Sequence, residues 1–145
     1  MQRKIFTLAC LSLIFAGLAA QENNVVDTWL NADETAHIRI FKATNGSYYG
    51  KIEWLKNDPD KLDVNNPDVE KKKNPVLGLM ILRDFIYDAE KKQWSGGTIY
   101  DPDNGKTYDC FMWFDNDPDV LSIKGYVLGM KFIGRETKWK RVTQS

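Results

Sequence analysis

Cysteine and histidine are almost missing from this chain: two cysteines, Cys10 and Cys110, and a single histidine, His37, in 145 residues. Cys10 sits inside an N-terminal apolar run that reads as a removable leader, so Cys110 is left alone and no internal disulfide framework can be built. A buried thiol is the expectation for it. One histidine also excludes the usual His-rich metal site, and a Ser-His-Asp triad would have to be assembled around His37. No G-x-S-x-G stretch accompanies it, so a surface or rim histidine is expected and no catalytic residue is assigned. Charge of one sign is absent as well, with 20 Lys and Arg against 20 Asp and Glu. Arg3 and Lys4 belong to the leader, so its removal leaves 18 basic and 20 acidic residues, a net charge of −2. That balance gives no electrostatic case for nucleic acid or an anionic membrane as partner.

The leader is the segment 1–20. Met1-Gln2-Arg3-Lys4 is basic, Ile5 to Leu18 is apolar, and Ala19-Ala20 supplies small residues for cleavage, which together make a secretory signal peptide. The run is shorter than the roughly twenty residues a spanning helix needs, and no stop-transfer segment follows. Lipid anchoring is not expected, because Cys10 lies within the apolar run and has Thr7 three residues before it. The chain is therefore expected to be exported, periplasmic in a Gram-negative host and otherwise secreted, with residues 21–145 as one domain and no membrane span. About 125 residues bury roughly two-thirds of their unfolded surface, enough for one core without staples.

After the leader no sustained helical stripe occurs, and strand periodicity prevails. Strands are predicted over Val25–Leu30, Thr35–Ala43, Tyr48–Leu55, Val76–Leu82, Trp94–Asp101, Lys106–Phe114, Val120–Leu128 and Phe132–Val142. Asn45-Gly46, Pro102-Asp103-Asn104-Gly105 and Asp115 to Asp119 are turn chemistry. Between Lys56 and Pro75 the composition shifts to Asp, Asn, Lys and Pro, which predicts a long, mobile surface loop. The fold class is all-β: a single small closed up-and-down antiparallel barrel of about eight strands, since closure removes edges.

The acidic turns, Asp58 to Asp68, Asp101 to Asn104 and Asp115 to Asp119, offer oxygen ligands of the type calcium takes, but without EF-hand spacing. Asp and Asn also start turns by bonding their own backbone, so no metal or other cofactor is assigned. Glu53 and Asp101 are conceivable as an acid/base pair, which only their separation decides. The richer signal is aromatic, with Trp and Tyr on nearly every strand, whose polar tips need partners when buried. A barrel of eight strands is either filled by side chains or holds one small ligand. If it holds one, alternation nominates Tyr48, Ile52 and Trp54 on one strand, Tyr108 and Met112 on another, and Arg135 and Trp139 on the last. Arg135 is the natural anchor for a carboxylate, since its planar fork makes two hydrogen bonds. The expected partner is a small apolar or amphipathic molecule; the alternative is a ligand-free module that binds protein or envelope polymer through the 56–75 loop and its Lys71-Lys72-Lys73 run.

Gly96-Gly97-Thr98-Ile99-Tyr100-Asp101-Pro102 with Gly105-Lys106-Thr107-Tyr108, together with Tyr49 to Leu55, Asn66-Pro67-Asp68, Lys124-Gly125-Tyr126, Gly134-Arg135 and Trp139, resembles the bacterial family called domain of unknown function 2147. The resemblance covers nearly the whole mature chain and implies an exported, lipocalin-like (calycin-like) β-barrel of undetermined activity. Many members carry paired cysteines on the second and third strands, where this chain has Ala43 and Tyr49, so that disulfide is lost here. Val26-Asp27-Thr28-Trp29 resembles the first-strand motif of lipocalins, with Asp27 in place of glycine. The likeness implies that a late-strand arginine, Arg135 or Arg141, covers Trp29.

Overall fold

A computed structural model describes residues 21–143; the expected leader over 1–20, with Cys10, falls outside the described residues. Eight strands run in chain order: β1 Thr28–Leu30, β2 Ala36–Lys42, β3 Tyr48–Leu55, β4 Met80–Asp88, β5 Gln93–Asp101, β6 Lys106–Phe114, β7 Val120–Tyr126 and β8 Gly134–Arg141. Each pairs antiparallel with the next, and β1 pairs with β8, Trp29 against Arg141 and Leu30 against Lys140, which closes the barrel. Closure leaves no strand edge to template pairing with another chain. Among the described residues no helix is long and apolar enough to cross a membrane.

Alternation puts Trp29, Ile38, Ile40, Tyr48, Ile52, Phe85, Trp94, Cys110, Met112, Leu121, Ile123 and Trp139 in the core, with Lys51, Glu53, Lys138 and Lys140 exposed. The register shifts between β2 and β3, twice between β3 and β4, and between β5 and β6. His37 pairs with Trp54 while Ile38 pairs with Ile52, so Glu53 is an extra residue in β3, and the faces exchange beyond it. In β5 the step from Trp94 to Gly97 spans three residues against two in β6, with Gly96 at φ 75. Gly97 then faces inward, where a Cβ would come within 2.5 Å of the Phe85 ring and the Arg83 carbonyl. The double glycine thus bends β5 and makes room for a core aromatic.

β4 lies later than the 76–82 expected for it. Ile81 and Leu82 are both buried and Arg83 and Asp84 both exposed, with Asp84 at φ 64, so the period of two is broken where it would have been read. Val76 is buried in the turn before the strand instead. The eighth strand also begins later and the seventh ends sooner than expected, leaving residues 127–133 as a seven-residue loop.

One end of the barrel is plugged. Trp29 is fully buried and donates its indole N–H to the Val25 carbonyl at 2.9 Å. Of the two arginines expected to cover it, Arg141 does so, with its guanidinium 4.4 Å from the ring centre. Its nitrogens donate to Asp27 Oδ2 at 2.6 Å, Asp119 Oδ1 at 3.0 Å and the Pro118 carbonyl at 2.7 Å. Glu22 lies across this end as well, its carbonyl accepting from Tyr48 Oη at 2.9 Å and from the Trp94 indole N–H at 3.2 Å. Burial pushes the Asp27 carboxyl up, but the Thr28 N–H and Arg141 outweigh it and hold it below its ordinary range. Its contribution is therefore full above the unfolded value and is lost as the pH falls through the folded one.

Arg141→Lys keeps the charge and removes the fork. It is expected to lower unfolding free energy by about 1–3 kcal/mol, measured by denaturant titration; an unchanged midpoint would show that the plug does not depend on the guanidinium.

Candidate functional site

The half of the barrel away from the plug is open. A cavity of about 940 Å³ extends inward from the mouth formed by the β1–β2 turn, the β3–β4 loop, the β5–β6 turn and the β7–β8 loop. Its walls are apolar: Ala36, Ile38, Ile52, Val76, Ile81 and Ile99, with Ile123 and Trp139 from β7 and β8. Its mouth is polar and carries both signs of charge, with Lys61, Asp58, Asp101, Asp103, Tyr100, Tyr108 and Arg135. Lys61 is bound to Asp103 at 2.5 Å. Arg135 is exposed at the rim and has no salt-bridge partner among the described residues.

Of the residues nominated from the sequence, Ile52, Tyr108, Arg135 and Trp139 line this cavity together. Tyr48 and Met112 point inward as expected, but they are packed into the filled half, and Tyr48 is committed to the Glu22 carbonyl. Trp54 is on the outside, 40% exposed, with its ring 4.4 Å from that of His37. The extra residue at Glu53 is the cause, since a strict period of two would have pointed Trp54 inward. His37 and Glu53 are thus on the outer surface, while Asp101 is at the mouth with Oδ1 accepting from the Asp103 N–H. The three carboxylate and imidazole groups considered for acid/base work do not share a site. Cys110 is fully buried in the core and does not line the cavity, and burial pushes its thiol up.

Tyr100, Lys61 and Thr137, not among the residues nominated above, also face the cavity. Thr137 follows from the alternation that placed Arg135 and Trp139. Lys61 and Tyr100 depend on how the 56–75 loop folds back. That loop was expected to be mobile, yet it is tied at several points: a bridge between Leu62 and Pro75, Asp63 N–H to the Asn74 carbonyl at 2.9 Å, and the Asn65 amide to the carbonyls of Pro102 and Asp103 at 3.0 Å each. Gly105 lets it approach, because a Cβ there would strike the Asn65 carbonyl. Asp63, 1% exposed, accepts from Tyr100 Oη at 2.7 Å and from the Asn66 amide at 2.7 Å. Burial first, and then the Asp63 carboxylate, push the Tyr100 hydroxyl up to about 12. The lysine run Lys71 to Lys73 forms an exposed 3-10 turn capped by Asp68.

Because Tyr100 must stay protonated to donate, the stability it contributes is full below its ordinary value of 10.0 and is lost as the pH rises toward about 12. Tyr100→Phe is expected to cost about 1–3 kcal/mol at neutral pH, by leaving a buried acceptor short of a donor. It should also flatten the alkaline limb of a pH–stability profile; a profile parallel to wild type would mean that the bond does not hold the loop.

A family profile described as an uncharacterized protein conserved in bacteria, DUF2147, matches residues 27–141. No curated protein matches the chain. Among solved structures, the Helicobacter pylori protein HP1028, described as belonging to the lipocalin family, is similar with a TM-score of 0.71 and 21% identity, over 82% of this chain and 83% of that one. At that identity the likeness speaks to the fold, which is lipocalin-like.

Proposed function

This chain belongs to the bacterial DUF2147 family of uncharacterized proteins, and we propose that it is an exported carrier for a small, partly apolar molecule held inside the barrel. The observation that carries the reading is the cavity: about 940 Å³, at the upper end of the roughly 300–1,000 Å³ typical of ligand sites, apolar in its walls and polar at its mouth. The apolar part of the ligand contacts Ile52, Ile99, Ile123 and Trp139, and Tyr108 stands at the rim with a hydroxyl for a polar group. Arg135 meets a carboxylate or another planar anion there, for which it has no competing acid among the described residues. Tyr48 and Met112 support the floor, and Trp54 takes no part. Cleavage after Ala20 and export put this binding site in the periplasm of a Gram-negative host, or outside the cell otherwise.

Titration with two naphthalene fluorophores, one anionic and one neutral, separates the parts of this reading. Ile99→Trp fills the cavity and is expected to abolish the binding of both. Arg135→Gln is expected to weaken the anionic probe about tenfold to a hundredfold and to leave the neutral one unchanged. Undiminished binding of both probes to the folded Ile99→Trp variant would place them outside the barrel and remove the proposal.

A further inference from the structure

The β7–β8 loop presents apolar side chains to water beside the mouth: Leu128 is 86% and Phe132 81% exposed, with Ile133 at 51% and Val127 at 44%. The loop is organised, with Met130 N–H bonded to the Val127 carbonyl at 3.1 Å and Ile133 N–H to the Met130 carbonyl at 2.9 Å. Leu128 and Gly129 both take positive φ, 55 and 70, where the chain reverses. Its apolar side chains are therefore held outward by a built turn. Exposed apolar groups clustered on one loop mark an interaction site more often than singly scattered ones do.

Two features identify the partner. The first is charge: from Val127 to Arg135 the loop and its exit have two basic residues, Lys131 and Arg135, and no acidic one, whereas Lys124 on β7 is paired with Glu136 across β7–β8. The mature chain is close to neutral overall, so this stretch is a local basic border around an apolar tip. The second is continuity: Val127 and Ile133 belong both to the loop and to the cavity lining. We propose that this loop docks the barrel, mouth first, on a bilayer containing anionic phospholipid, with Leu128 and Phe132 entering the acyl boundary and Lys131 and Arg135 meeting the headgroups. Apolar insertion combined with basic flanks is the general chemistry of interfacial binding. An apolar ligand could then pass between bilayer and cavity along Val127 and Ile133 without crossing water. That last step rests on the carrier reading above; the docking does not.

Flotation of the mature protein with vesicles of phosphatidylcholine alone, and of phosphatidylcholine mixed with phosphatidylglycerol, tests this. Binding is expected to the mixed vesicles, to weaken with added salt, and to fall about tenfold or more in the Leu128→Asp/Phe132→Asp variant. That variant should keep the wild-type melting temperature and neutral-probe affinity, so a failed cavity and a failed dock are told apart. Lys131→Glu should weaken binding to the mixed vesicles alone. No flotation with either vesicle, or equal flotation of the double variant, overturns the proposal. A change in oligomeric state on mutation, without vesicle binding, assigns the loop to a contact between copies of this chain and overturns it equally.

Discussion

The guanidinium of Arg141 lies 4.4 Å over the buried Trp29 ring while its nitrogens bind Asp27, Asp119 and a backbone carbonyl. This one side chain joins β8 to β1, where the barrel closes, and ties both to the β6–β7 turn and to the Asn24 carbonyl. Trp29 in turn contacts Phe114, which meets Trp94 edge-on, which meets Tyr48. Large rings with satisfied polar tips fill the floor. With that end solid, stability does not require the other end to be filled, and smaller side chains such as Ala36, Ile52 and Ile99 leave space there.

An open, apolar-walled half is unusual for protein interiors, which pack to nearly crystalline density with few voids larger than a water molecule. The barrel here keeps both arrangements in one tube: the rings of Trp29, Tyr48, Trp94 and Phe114 pack on one another at the plug, whereas Ala36, Ile38, Ile52, Ile81, Ile99 and Ile123 face the cavity beside Trp139. The 56–75 loop, fixed by Asp63, Asn65 and Tyr100, sets the height of one wall. The β7–β8 loop on the opposite side makes no comparable set of anchoring bonds and shows its apolar groups to solvent. The mouth therefore has a pinned side and a presented side.

Much of this was legible in the sequence because β6, and β3 as far as Ile52, alternate and their turns carry Asn-Gly and Asp-Asn-Gly chemistry; both strands match their expected bounds. Cavity residues on uninterrupted stretches, Ile52, Tyr108, Arg135 and Trp139, could be read by counting in twos. Trp54 could not, since one inserted residue at Glu53 reverses every later side chain and leaves no mark in composition. β4 was displaced for a related reason, the consecutive buried pair Ile81 and Leu82 ahead of the left-handed Asp84. Asp63 and Tyr100 meet across 37 positions of sequence, and no local pattern announces such a contact.

That the open half is a binding site is tested most directly by native mass spectrometry of the protein purified gently from its own host. A stoichiometric small-molecule adduct that denaturation releases, and that is missing from the Ile99→Trp variant, is the expected result. A bare polypeptide mass from the host, with no rise in melting temperature on adding amphiphiles, would contradict it and leave the cavity without an occupant.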